Sequence, residues 1–525
     1  MNRFRQIRFL LPETPCDRSV RIAAFVFLAA LLFLGLFLFD DYGVTWDESD
    51  QRAYGEVVHD YVFKGDPALR SHRDRYHGPG FELLLVAGER ALEMNDSRSI
   101  YLFRHLLTFL TFWLGIVAFY FLCRRYFRDS FYGLAGIVLL VLSPPIFAHG
   151  FFNSKDIPAL SLFTLSMFTL LRLSDSPSLA RASIHAVASA LLMSVRVTGV
   201  LVPVLTIIVL LLGSGRGSRK WRAAGLYVLL WAVLTTALWP TLWENPIREF
   251  VNALLTMRAY PWTGMTFYMG RYFKGNAIPW HYTPVWIAIS TPLLYTAAAL
   301  LGTATSIASF FRRGGSRNDK LERIAIVTWF VAPVISVMAL DSTLYDGWRH
   351  LYFVYPALLI LALEGLRSAF RFLARLPAWV GRASRVGLAA LCFVSLVSTA
   401  AFMVANHPVQ QVYFSLPRSM VAGRFELDYW GASYRQALEK LLATDSDPVI
   451  TIRVDNLAGA LNLDILPLAD RRRLKLVNRR GESKYLLTNM RYYYDFDYGY
   501  PEVFAIESGG IKILKVFRTG PPGGS

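Results

Sequence analysis

Long apolar blocks alternate with shorter polar segments along this chain of 525 residues. The blocks lie near 22–39, 100–122, 131–148, 157–173, 183–196, 198–212, 223–240, 284–310, 324–340, 350–366 and 386–405. Most are long enough to cross a bilayer as a helix, so the pattern predicts about eleven spans. The blocks 183–196 and 198–212 are short, and Arg196 stands at their junction.

Charge decides whether those two are one span or two. With the N-terminus in the cytoplasm, segments 1–21, 123–130, 174–182, 213–222, 311–323 and 367–385 fall inside; all are basic except 174–182, where Asp175 offsets Arg181, and this matches the positive-inside bias. Merging the short blocks would move "GSGRGSRKWR" outside, so they are read as separate. Segments 40–99, 149–156, 241–283, 341–349 and 406–525 then lie on the other face. Within loop 40–99, "GFELLLVAGERALEM" has helical periodicity and predicts helices lying along the membrane surface. In the tail, "SYRQALEKLLA" predicts an amphipathic helix, and "PVITIRV", "KYLLTN", "EVFAI" and "IKILKVF" predict strands. The expected architecture is a polytopic α-helical membrane protein. It has a transmembrane unit over 1–405, with external loop 40–99, and a small periplasmic α/β domain over 406–525. The closing "TGPPGGS" reads as disordered.

Composition narrows the class. Hydrophobic residues make up 54% of the chain and mean hydropathy is +0.36, above the range of soluble domains. The net charge of +17 follows from the basic inner segments; no nucleic-acid partner is expected. Cys16, Cys123 and Cys392 are too scattered for a metal site or a disulfide framework. The first apolar block is too long for a cleavable signal, so a multi-pass protein of the cell (inner) membrane is expected.

The dense polar clusters all fall on the non-cytoplasmic face. "TWDESD" carries Asp47 and Glu48; "HGFFNSKDIP" carries Lys155 and Asp156; "KGNAIPWHYTP" carries His281; "LYDGWRHLYFVYP" carries Asp346, Arg349 and His350. Each has a plain structural reading as well. Asp40 and Asp41 suit a solvated collar, Asp156 a helix cap, and Arg349, His350 and His281 interfacial anchors. Arg196 suits a snorkelling or internally paired cation. The adjacent acids Asp47 and Glu48 stand apart behind an aromatic, with basic groups on other external turns as complement. A carboxylate facing cations suits transfer of a group from a phosphate-linked donor to a hydroxyl or amine. The carboxylate takes the acceptor's proton and the cations stabilise the leaving phosphate.

These motifs resemble the polytopic glycosyltransferases of the GT-C class, family 39, which includes protein O-mannosyltransferases and the transferase that adds aminoarabinose to lipid A. "TWDES" is similar to the acidic motif of that family's first external loop, and "YHGPGFELLL" to the segment after it. "LSPPIFAHGFFNSKDIPALSLF" is similar to the second external loop, and "YDGWRHLYFVYPAL" to a later signature, with His350 where Tyr is usual. "GRFELDYWGASYRQAL" resembles a segment of bacterial relatives with a C-terminal extension. The resemblance implies Asp47 as catalytic base, Glu48 as its partner, Asp156 as second-loop acid and Arg349 as phosphate-binding arginine. It implies a polyprenyl-phosphate sugar donor, inversion at the anomeric centre, and a lipid, glycan or protein acceptor. Lys155, His281, Asp346 and His350 complete the expected substrate-binding set, and membrane lipids are a further expected partner of the chain. No cofactor is assigned, and Asp47, Glu48, Asp156 and His281 could hold a divalent cation. A transporter or flippase of lipid-linked substrate, a lipid-linked glycan polymerase or ligase, and a non-enzymatic assembly protein are the alternatives.

Overall fold

The computed structural model describes residues 15–213, 217–311, 316–479, 482–492 and 496–520. The closing segment from 521, and parts of the inner segments 1–21, 213–222 and 311–323, lie outside the described residues. Eight described helices are long and apolar enough to span a membrane: Asp17–Leu38, Ser97–Phe127, Asp156–Asp175, Ser218–Leu238, Leu293–Phe311, Arg317–Ala339, Arg349–Leu373 and Ala378–Ala405. A ninth is the pair Ser130–Val141 and Pro144–Phe152, bent by 73°. Ser143 precedes the second half, its hydroxyl donating back to the Leu139 carbonyl at 2.7 Å, and Pro144 opens it, which is where a proline is tolerated and where a continuous helix cannot pass. Leu179–Met193 and Val197–Leu212 are the two shorter apolar helices, with Arg196 between them. All eleven expected blocks are therefore helical, although the block at 284–310 is divided into Tyr282–Ser290 and Leu293–Phe311 at Pro292.

The helices pack closely where glycine allows it. A Cβ on Gly302 would lie 1.8 Å from the Leu361 carbonyl oxygen, and one on Gly365 1.9 Å from that of Ala298. Small residues at a crossing let two backbones approach within a membrane. Deeper in the bundle, Phe163 stacks against Trp329 and Phe353, and Trp329 Nε1 donates to the Phe353 carbonyl at 2.9 Å.

The outer segments are folded. Helix α1 (Trp46–Lys64) starts at the acid cluster, and α2 (Gly80–Ala91) covers the periodic stretch. The 241–283 loop holds a further helix, Pro246–Arg258, and an antiparallel hairpin of β1 (Met265–Tyr268) and β2 (Arg271–Lys274). In the tail, the expected helix is α3 (Tyr434–Thr444), and the four expected strands are β3 (Ile450–Val454), β5 (Tyr485–Thr488), β6 (Glu502–Ser508) and β7 (Ile511–Arg518). A fifth, β4 (Leu474–Leu476), is too short to show alternation and completes a mixed sheet of order β4-β3-β5-β7-β6. The chain between the last span and α3 does not hang free. Val409, Val412, Phe425, Leu427 and Trp430 are buried in the same apolar core as the spans. Trp348 is also buried there.

Candidate active site

Asp47 is in the first turn of α1, where carboxylates are favoured by the exposed N–H groups. Its neighbour Glu48 turns the other way. Glu48 Oε1 accepts from the Thr45 backbone N–H at 2.7 Å and from Thr45 Oγ1 at 2.9 Å, a capping box, while Oε2 meets His105 Nε2 at 2.9 Å. Both Glu48 oxygens are therefore used inside the protein, and they fix the helix start that presents Asp47.

Asp47 Oδ2 lies 3.1 Å from Arg349 Nη2. Arg349 is 2% exposed and Asp47 30%, so a buried cation holds a carboxylate that still reaches solvent. The same guanidinium meets Asp346 Oδ2 at 3.1 Å and Asp156 Oδ2 at 3.5 Å, and it lies over the rings of Trp430 and Tyr345. Asp346 (φ 56°) and Gly347 (φ 69°) both adopt the left-handed conformation. That turn swings Asp346 back onto Arg349 three residues later.

Asp156 opens its span. Asn153 orients it: Oδ1 accepts the Asp156 N–H at 2.8 Å, and Nδ2 donates to Asp156 Oδ2 at 2.9 Å. Arg196 pairs with the other Asp156 oxygen. The junction arginine is thus an internally paired cation, and pairing with an acid from another element explains why it can stand between two apolar helices. Arg491, from the tail, meets Asp346 Oδ1 at 2.5 Å. Three carboxylates (Asp47, Asp156, Asp346) are interleaved with three guanidiniums (Arg196, Arg349, Arg491).

Lys155 adds a further cation. It is half-buried and forms no ion pair among the described residues. Burial, reinforced by the charge of Arg196 and opposed by that of Asp47, pulls its ammonium down to about 7. His77 lies 3.5 Å from Asp74 and within electrostatic reach of Lys155; burial and then the lysine's charge push it down to about 4. His350 sits edge-on to Tyr345 at 4.7 Å, and its Nδ1 is buried with no hydrogen-bond partner among the described residues. Asp50, one turn along α1, is raised by burial and then by the charge of Asp47.

Of the residues singled out in the sequence, Asp47, Asp156, Asp346 and Arg349 converge in one ion-pair network, with Lys155 within electrostatic reach of Asp47, Arg196 and Arg349. His281 is placed elsewhere: its Nδ1 meets Tyr268 Oη at 2.7 Å and its ring packs on Tyr268 and Trp280. The set considered for a divalent cation is accordingly divided, with Glu48 on His105, Asp156 on Arg196 and Arg349, and His281 on Tyr268. Among the described residues, no group of three or more His, Cys, Asp or Glu side chains is arranged to hold a metal ion. Arg491, Asn153 and the partner of Arg196 were not legible. Their only signal was a polar residue beside an apolar block or in an irregular tail.

Residues 77–243 match the sequence family described as dolichyl-phosphate-mannose-protein mannosyltransferase. The matched stretch contains Lys155, Asp156 and Arg196 and spans the second external turn. The family match and the many apolar helices define the class: this is a polytopic membrane glycosyltransferase. Among solved structures, ArnT from Cupriavidus metallidurans bound to undecaprenyl phosphate is similar at 15% identity and a TM-score of 0.49, over 94% of this chain and 97% of that one. Its apo state is similar at 15% identity and 0.49, over 95% and 98%. The archaeal oligosaccharyltransferase AglB from Archaeoglobus fulgidus, in complex with an inhibitory peptide and a dolichol-phosphate, is similar at 12% identity and 0.47, over 91% of this chain and 69% of that one. At TM-scores under 0.5 these likenesses assign no residue roles and no substrate. No curated protein matches the chain.

Proposed function

We propose that the protein moves a monosaccharide from a polyprenyl-phosphate sugar to a hydroxyl or amine of a lipid, glycan or protein acceptor. Transfer takes place on the non-cytoplasmic face and inverts the anomeric centre. One observation carries this reading: Asp47, partly open to solvent and held by the buried Arg349, lies within electrostatic reach of Lys155, a cation that pairs with no carboxylate among the described residues.

Asp47 takes the acceptor's proton as the acceptor oxygen or nitrogen attacks the anomeric carbon. The bond from that carbon to the phosphate oxygen breaks on the opposite face, and the phosphate leaves with both electrons. Lys155 offsets the charge gathering on it, with His350 and Arg196 nearby. Arg349, engaged by three carboxylates, orients Asp47, and Asp346 and Asp156 hold Arg349. Glu48 fixes the start of α1. A phosphate leaving group needs no carboxylic acid to protonate it, so one base suffices where a glycosidase needs two carboxyls.

We assign the N-terminus to the cytoplasm, and loop 40–99 and the tail to the periplasm of a cell with an inner membrane. The basic alternate segments support this placement. The chain divides by function into a catalytic membrane unit, 1–405, and a tail, 406–525, docked on it. To test the activity, glycolipids and glycoproteins of a deletion strain are compared with those of the wild type by mass spectrometry. A product lacking one sugar residue in the deletion, restored by the gene, supports the reading. Identical profiles contradict it.

A further inference from the structure

We propose that Arg491, supplied by the tail, is a positioning residue of the transfer site that keeps Arg349 on Asp47. The inference rests on the function proposed above and adds a residue that acts from outside the membrane unit.

Asp346 is shared. Its Oδ2 faces Arg349 at 3.1 Å and its Oδ1 faces Arg491 at 2.5 Å, so each oxygen serves one guanidinium. Asp346 is 2% exposed and Arg491 3%, so water does not screen either. Arg491 also lies 4.7 Å over the ring of Trp46, the residue before Asp47, and donates to the Tyr429 carbonyl. It therefore touches the acid helix directly and reaches Arg349 through Asp346. The tail holds it there deliberately. Met490 (φ 59°) and Tyr492 (φ 73°), neither of them glycine, flank it in the left-handed conformation. Asn489 Nδ2 bonds the Asp428 carbonyl at 2.8 Å, anchoring the turn. A strained turn persists where the surroundings over-determine it, and such turns cluster at functional sites.

The charge balance gives the mechanism. Without Arg491, Asp346 is a buried carboxylate with Arg349 as its only paired cation among the described residues, and it competes with Asp47 for that guanidinium. The other groups around Asp346 and Asp47 do not fill the gap: Glu426 is a further acid near Asp346, Asp50 is a further acid near Asp47, and Tyr345, Tyr429 and Tyr492 are phenols. Among the described residues, Lys155 and Arg196 are further cations on the Asp47 side.

The test uses the full chain in the deletion strain. It reads the initial rate of product appearance after induction at matched protein levels, and binding of undecaprenyl phosphate to the purified variant. Arg491→Gln should lower the rate about 10²-fold, the scale of a displaced reacting group, with binding unchanged within about threefold. Arg491→Lys should keep part of the rate. Adding Asp346→Asn to Arg491→Gln removes the competing acid and should recover about tenfold, the scale of coupling between contacting residues. A wild-type rate in Arg491→Gln overturns the proposal. So does an additive double variant, or loss of undecaprenyl phosphate binding together with the rate in both Arg491→Gln and Arg491→Lys, since each marks a purely structural anchor. A wild-type chain that restores no product defeats the proposed function instead.

Discussion

The Arg349 guanidinium lies 3.1 Å from the Asp47 carboxylate, joining the start of a late membrane helix to the first turn of the acid helix. Almost no water reaches the arginine, so its charge is balanced by protein groups alone. Arg349→Ala leaves Asp156 and Asp346 without this partner. Removing one member of a buried pair costs about 3–5 kcal/mol. Thermal unfolding in detergent should show a lower midpoint, and sugar transfer should be lost. Arg349→Lys, which keeps charge but not the forked donors, should retain part of both. A fully stable and active Ala variant would show that Asp47 is held by something else.

Lys155 should make donor-phosphate binding depend on pH. Burial is the main cause that lowers its ammonium to about 7, so the charged form dominates below that value and fades above it. Undecaprenyl phosphate should therefore bind less tightly as pH rises from 7 to 9. Lys155→Met should bind weakly at pH 6.5 and lose that part of the dependence. Comparing the two proteins cancels the ligand's own titration. Parallel curves would remove Lys155 from the phosphate site.

Glu48 and Asp40 should separate structural acids from collar acids. Glu48→Ala removes the box at the start of α1 and leaves His105 unpartnered; the cap alone is worth about 1 kcal/mol. Glu48→Gln should be milder, because an amide still accepts a hydrogen bond. Asp40→Asn should be nearly silent, since Arg435 bonds the Asp40 backbone carbonyl rather than its carboxylate. Unfolding midpoints of the purified variants check the ranking, and a larger fall for Asp40→Asn than for Glu48→Ala would reverse it.

Topology is tested with single cysteines in a chain whose three native cysteines are replaced. Ser446→Cys should react with an impermeant maleimide in intact spheroplasts, and Ser176→Cys only after permeabilisation. Both positions are exposed, so access depends on the side of the membrane alone. Protection at Ser446 would invert the orientation.

The spans were legible because burial in lipid demands continuous apolar runs, and a run needs no partner to be recognised. The tail helix and four strands were legible from local period for the same reason. Two kinds of feature were not. The bend at Ser143–Pro144 lies inside an apolar block, where hydropathy continues across the break. The ion-pair network depends on which outer turns meet in space. The sequence put Asp47, Asp156, Asp346 and Arg349 on one face of the membrane and in one expected site, but did not show which of them pair. It gave no reason to add Arg491 or to leave out His281, since side-chain pairing between distant segments leaves no local pattern.

Asp47 itself is the most direct test of the account. Asn keeps its shape and loses the proton acceptor. Each variant is purified, shown to give a monodisperse detergent peak and to bind undecaprenyl phosphate, and returned to the deletion strain, where the missing sugar is quantified by mass spectrometry. Loss of a general base should lower transfer about 10²–10⁴-fold while phosphate binding is retained. Transfer by Asp47→Asn at the wild-type rate, with Asp156→Asn inactive, would contradict the account and move the base to the second external turn.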